Sequence, residues 1–153
     1  MEKILISRCL LGEQVRYDGN DNLIPHPLIT TWRDRWVPVC PEVSGGLPTP
    51  RPPAELQQDG HIITIEGEDV SAAFNRGALH ALMLCKQHNI RFAVLKENSP
   101  SCGRHQIYDG TFSGVKVAGQ GMTTQALLEA GIQVFSDQEL DALADAVSVI
   151  ESR

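Results

Sequence analysis

Short, wholly apolar runs alternate along this chain with longer stretches whose apolar residues recur at helical spacing. KILIS (3–7) is apolar almost throughout and predicts a buried strand. WVPVC (36–40) predicts a second, and Pro38 marks it as an edge strand or an irregular strand end. The strongest helical pattern is SAAFNRGALHALMLCKQHN (71–89), which sets Phe74, Ala78, Ala81, Leu82 and Cys85 on one face. Asn89 suits the left-handed residue that ends such a helix, with Ile90 folding back behind it. RFAVLK (91–96) follows as a strand, TTQALLEAG (123–131) as a helix closed by Gly131, and IQVF (132–135) as a strand. The final SDQELDALADAVSVIE (136–151) predicts a helix, with Ser136 and Glu139 as a capping box. HPLITTWRDR (26–35) carries a weaker helical pattern, and HIITIEGEDV (61–70) reads as a strand and turn, one side of a small hairpin. Strand, helix, strand, helix and strand in succession predict an α/β chain: a single-domain (1–153) Rossmann-like three-layer sandwich with a mostly parallel sheet.

Between these elements lie three long irregular segments: residues 9–25, 40–54 and 97–114, dense in Gly, Pro, Asn and Ser. Each contains one cysteine: Cys9 and Cys40 at strand exits, Cys102 in the loop after RFAVLK. In an open parallel sheet the carboxyl ends of the strands share one edge, and ligands bind there. Three cysteines distant in sequence are therefore expected to meet at one site. Cys85, on the apolar face of a helix, is expected to be a core residue. There is no Cys-x-x-Cys pair, so neither a zinc ribbon nor a thioredoxin-type motif applies. Three thiolates can hold zinc with an open fourth position, or three irons of a [4Fe–4S] cube, and the residues alone leave both readings open. His105, three residues after Cys102, is the one histidine placed to add a ligand. A loop histidine more often hydrogen-bonds or faces solvent, and His26, His61, His80 and His88 form no pattern.

Composition narrows the partners. A net charge of −6 with no basic stripe argues against a polymeric nucleic acid, though not against a free base or nucleoside. No apolar run reaches the length of a membrane span, and the expected location is cytoplasmic. Thiols stay reduced there, so four cysteines point to metal binding or catalysis before disulfides.

Four blocks carry a family resemblance: CLLGEQVRYDG (9–19), CPEVSGGLPTPRPPAE (40–55), SPSCGRHQIYDGTFSG (99–114) and GQGMTTQALLEAGIQVFS (119–136). Together, in this order, they resemble the thiouracil desulfidase family over most of the chain. Longer relatives carry a further C-terminal domain, and this chain resembles the short form without it. The resemblance implies a [4Fe–4S] cluster held by Cys9, Cys40 and Cys102 with one iron open. It implies removal of sulfur from a thiolated pyrimidine base or nucleoside without net redox change. Glu42, two residues after Cys40, is expected as the acid/base group. The residues alone leave it evenly balanced against a solvated loop glutamate, and the resemblance favours the proton-carrying role. Ser99 and Ser101 are candidates to orient substrate or bond cluster sulfur. Arg51, Asp18 and Tyr108 are candidate substrate contacts. Arg51 can equally pair with a loop carboxylate, and Asp18 reads as a turn former first. GQGMTTQ (119–125) lacks the residues of a phosphate loop and the spacing of a dinucleotide fingerprint. The competing readings are a non-catalytic metal or cluster protein and a metal-free nucleotide-binding module.

Overall fold

A computed structural model describes the whole chain, residues 1–153. In chain order the strands are β1 (Ile4–Ser7), β2 (Trp36–Val39), β3 (Ala54–Leu56), β4 (Ile62–Thr64), β5 (Phe92–Leu95), β6 (Gln106–Tyr108), β7 (Lys116–Ala118) and β8 (Gln133–Ser136). The helices are α1 (Leu28–Thr31), α2 (Pro41–Ser44), α3 (Ser71–His88), α4 (Met122–Glu129) and α5 (Leu140–Glu151). The central sheet has the order β2-β1-β5-β8 and is parallel throughout.

Its strands are apolar on both faces because both faces are covered. Side chains alternate across a strand. Ile4, Ile6, Phe92 and Val94 therefore pack with Leu143 and Val147 of α5 on one side. Leu5, Ala93 and Leu95 pack with Ala81 and Cys85 of α3 and Leu127 of α4 on the other. This is the expected α/β three-layer arrangement, and Cys85 is a core residue. Each large side chain buried this fully contributes about 1.5–3 kcal/mol. Pro38 does lie in an edge strand, where a missing amide can face out of the sheet. Asn89 takes the left-handed conformation, with φ 54°, and Ile90 N–H bonds back to the Cys85 carbonyl at 2.9 Å. Gly131, with φ 84°, turns the chain after α4 into β8. No helix is long and apolar enough to cross a membrane.

Three local expectations are revised. The helix over 26–35 is a single turn, α1, with no buried residue. Beyond it, Trp32 stacks on Trp36 with ring centroids 5.8 Å apart. Arg35 lies 4.8 Å from the Trp32 ring and pairs with Glu151 at 2.9 Å. Leu28 and Ile29 of this single turn, and Trp32 after it, still pack against the core without a longer helix. The segment 61–70 does form one side of a small hairpin, as expected: its β4 pairs antiparallel with β3, the end of the proline-rich segment. A second small ribbon, β6 with β7, lies in a region expected to be loop. Strands of three residues are too short for periodicity to reveal. Half of the expected capping box forms. Ser136 N–H donates to Glu139 Oε1 at 2.9 Å, but Ser136 Oγ accepts from Gln138 N–H at 3.2 Å.

The chain passes from β1 outward to β2 in one direction, and to β5 and β8 in the other. The order reverses between β1 and β5, and a crevice at the carboxyl ends is the general consequence.

Candidate active site

Each of the three cysteines leaves the sheet at that crevice on a differently built support. Cys9 sits in a 3₁₀ turn, Arg8–Leu11, stopped by Gly12 with φ 93°. Cys40 is extended, with φ −121° and ψ 100°, and precedes Pro41 at the start of α2. The short α2 lies directly on α3. A Cβ on Gly77 would fall 1.9 Å from the Pro41 carbonyl oxygen, and one on Gly45 would fall 1.9 Å from that of Ala73. Only two glycines let these backbones approach so closely.

Cys102 is carried by the loop after β5, which has three sets of ties. Glu97 Oε1 accepts from the backbone N–H groups of Arg104 at 2.7 Å, His105 at 2.9 Å, Gln106 at 3.2 Å and Asn98 at 3.3 Å. Ser99 Oγ accepts from Ser101 N–H at 3.0 Å and Cys102 N–H at 3.1 Å. The start of α4 provides the rest. Met122 N–H donates to the Pro100 carbonyl at 2.8 Å, Thr123 N–H to Ser101 at 2.9 Å, and Thr124 Oγ1 to Cys102 at 2.9 Å. The helix end that GQGMTTQ builds thus binds the cysteine loop's own carbonyls.

These elements enclose one cavity of about 440 Å³ with Cys9, Cys40 and Cys102 on its wall, together with Glu42, Ser99 and Tyr108. No three His, Cys, Asp or Glu side chains gather tightly enough to chelate a single ion. Thiols spread around a cavity suit a cubane, in which each thiolate takes a different iron. His105 bonds Glu139 at 2.8 Å and is not on the cavity wall, so it adds no fourth ligand. Burial pushes all three thiols up, Cys102 furthest. Each has its own offsetting donors: the Asn22 side chain for Cys9, the Val43 and Glu42 N–H groups for Cys40, and the Ser7 and Ser101 hydroxyls for Cys102. Cys85, pushed up to about 11 by burial, has no such donor. Cys85 packs in the core among α3 neighbours and is absent from the cavity wall, which excludes it from a ligand role there.

Glu42 is one-fifth exposed, and its carboxylate lies 3.3 Å from Arg51 Nε. Burial raises its pKa, and the Arg51 charge and hydrogen bond only partly offset that. Arg51 also reaches the cavity wall, but its donors are largely committed within the protein. Nη2 donates to the Val15 carbonyl at 2.9 Å, and Nη1 to the Pro48 carbonyl at 3.2 Å and Thr49 Oγ1 at 3.1 Å. Its backbone N–H donates to Tyr17 at 2.7 Å. Arg51 thus fastens Glu42 to the segment after β1 from a place on the cavity wall. Asp18 lies off the cavity wall. It accepts from Asn20 N–H at 3.0 Å and pairs with Arg16 at 3.1 Å, which makes it the turn former its sequence suggests. Tyr108 is on the wall, with Lys116 Nζ 5.8 Å from its ring centroid.

The two serines part company. Ser99 is on the wall, whereas Ser101 is fully buried off it and bonds Thr123 Oγ1 at 3.0 Å. Three contributors escaped the sequence reading: Glu97, Glu55 and Asn22. Glu55 Oε1 accepts from Gly110 N–H at 2.9 Å and Phe112 N–H at 3.1 Å, which ties the β3–β4 hairpin to the loop after β6. The only sequence signal for Glu97 was a carboxylate directly at a strand exit.

The fold and site together define an α/β protein that presents three cysteines, one from each of three sheet-edge segments, to a single cavity. The chain belongs to the 2-thiouracil desulfurase family, which matches residues 4–139. It is 41% identical over 147 residues to the "Uncharacterized protein YbbK" of Bacillus subtilis (strain 168), covering 90% of this chain and 97% of that one. A solved structure, a [4Fe-4S]-dependent thiouracil desulfidase TudS, matches with a TM-score of 0.95 at 53% identity, covering 97% of this chain and 99% of that one.

Proposed function

We propose that this protein is a [4Fe–4S]-dependent desulfidase that converts a thiolated pyrimidine and water to the oxo-pyrimidine and hydrogen sulfide. No electrons are gained or lost. The observation that carries the proposal is the cavity wall: three cysteines from separate loops line one cavity, with Glu42 and Ser99 beside them. Cys9, Cys40 and Cys102 would hold the cluster. When bound, it would supply a soft, Lewis-acidic iron suited to a thiocarbonyl sulfur.

The chain's own groups supply the rest. Glu42 takes a proton from the attacking water, and its carboxylate is held for this by Arg51. The two N–H donors at Ser99 Oγ occupy its acceptor positions. Its O–H proton is left to donate into the cavity, towards the substrate or a sulfur. Tyr108 offers a ring face for the base to lie against. Ser101, buried with Thr123, keeps the Cys102 loop in place rather than touching substrate. The location stays as expected from composition, cytoplasmic, and the ligand a free base or nucleoside.

The test is anaerobic purification, followed by assay of iron and acid-labile sulfide and then incubation with 2- and 4-thiouracil. Brown protein that releases sulfide and uracil is expected. Alanine at Cys9, Cys40 or Cys102 should remove iron, Cys85→Ala should not, and Glu42→Gln should keep iron and lose turnover. Protein that stays colourless after reconstitution overturns the cluster. Loaded protein that releases no sulfide from any thiolated base leaves a non-catalytic cluster protein instead.

A further inference from the structure

Asn98 is the outlier of the cavity wall. Every charged side chain there has a partner within the protein: Arg8 with Glu13, Arg16 with Asp18, Glu42 with Arg51, and Lys96 with Asp137. Glu55 and Glu97 are occupied by backbone N–H groups, and Asn22, the other wall carboxamide, bonds Arg16 at 3.0 Å. Asn98 Oδ1 alone is buried without a partner. Its backbone has φ 72°, in the left-handed region that asparagine adopts more readily than other side chains. The Glu97 carboxylate bonds its N–H at 3.3 Å, and a bridge to Ile107 holds it from the other side. The fold thus fixes Asn98 beside Ser99 and leaves its carboxamide oxygen without a partner. A buried polar group without a partner is destabilising unless a ligand completes it.

We infer that the Asn98 carboxamide recognises the lactam edge of the substrate ring. This rests on the desulfidase reading above. The edge of a uracil-type ring presents an N–H beside a carbonyl, and a carboxamide matches it with one acceptor and one donor. Oδ1 is buried away from the cavity surface here, and the broad, two-fold terminal torsion of asparagine lets a half-turn bring it there to accept from the ring N–H. Asn98 is then a specificity residue. It selects pyrimidines with a free ring N–H and rejects rings that lack one, because the amide would stay unpaired.

The experiment pairs a protein change with a substrate change. Asn98→Gly removes the carboxamide and suits the left-handed backbone, so the melting temperature should not fall. In cluster-loaded enzyme, the KM for 2-thiouracil should rise about tenfold, with a smaller change in kcat. Calorimetric uracil affinity should fall by a similar factor. Against 3-methyl-2-thiouracil, in which the N3–H beside the carbonyl is replaced while N1–H remains, wild type should lose about tenfold in kcat/KM and Asn98→Gly almost nothing further. A wild-type KM in Asn98→Gly, or an undiminished methyl penalty in that variant, overturns the inference. If wild type still releases sulfide in that case, the desulfidase reading stands without it. Loaded wild type that releases none takes both down.

Discussion

Gly77→Ala sets two physical effects against each other. Gly77 lies inside α3, where alanine is favoured over glycine by about 1 kcal/mol. On helix propensity alone the substitution stabilises. The new Cβ, however, would stand 1.9 Å from the Pro41 carbonyl oxygen, where ordinary contact begins at 3.4 Å. The two backbones must separate by roughly 1.5 Å, the difference between these values. Neither side of the contact is a flexible side-chain end. Overpacking of this kind costs about 1–3 kcal/mol and exceeds the propensity gain. Pro41 is bonded to Cys40 and Glu42, so the displacement also reaches a proposed ligand and the proposed base. Urea denaturation should show a net loss of up to about 2 kcal/mol, and anaerobic reconstitution should give reduced iron content. Asn75→Ala, on the exposed side of the same helix, should instead gain a few tenths of a kcal/mol. A Gly77→Ala protein as stable as wild type, with a full iron load, would show that the α2–α3 contact does not set the cysteine's position.

Glu97→Ala should destabilise by about 2–3 kcal/mol, because a charged acceptor of several backbone N–H groups is lost; thermal melts at neutral pH would read this. Burial pushes Glu97 up, but its backbone donors outweigh that and leave it below the usual glutamate range. Its stabilisation is therefore present above the ordinary glutamate pKa and is lost as pH falls through the lower folded value, so the gap between wild type and variant should close in acid. Thr123→Val keeps the shape but removes the partner of the buried Ser101 hydroxyl, and a loss of about 1–2 kcal/mol in chemical denaturation is expected. Arg51→Lys cannot reproduce the fork that joins Glu42, Val15, Pro48 and Thr49. It should lower kcat at least tenfold while the iron content stays near wild type, and unchanged turnover would remove Arg51 from the positioning role.

The central sheet was legible because its strands are buried on both faces and are separated by helices long enough to show their period. The convergence of Cys9, Cys40 and Cys102 followed from that topology, since each lies downstream of a different parallel strand. Of the two small ribbons, only β4 was legible. The β3–β4 and β6–β7 pairs are three residues to a strand, and side-chain ties such as Glu55 to Gly110 and Phe112 fasten the loops beside them. Nor could residue type alone separate Ser99 from Ser101, which are two positions apart yet differ in whether they reach the cavity. Residue type alone did not show that Arg51 and Asp18 bond neighbouring carbonyls and backbone amides within the protein.

The placement of β1 between two strands that come later in the chain has a consequence for synthesis. Cys9 and Cys40 leave the ribosome long before Cys102, and the threonines that brace the Cys102 loop follow it by some twenty residues. A partly made chain presents two thiols with nothing opposite them. With the ligand set proposed above, the cluster can be accepted only once Cys102 and its bracing helix are in place. Its delivery must then pass through the cavity mouth rather than occur as the chain wraps around it.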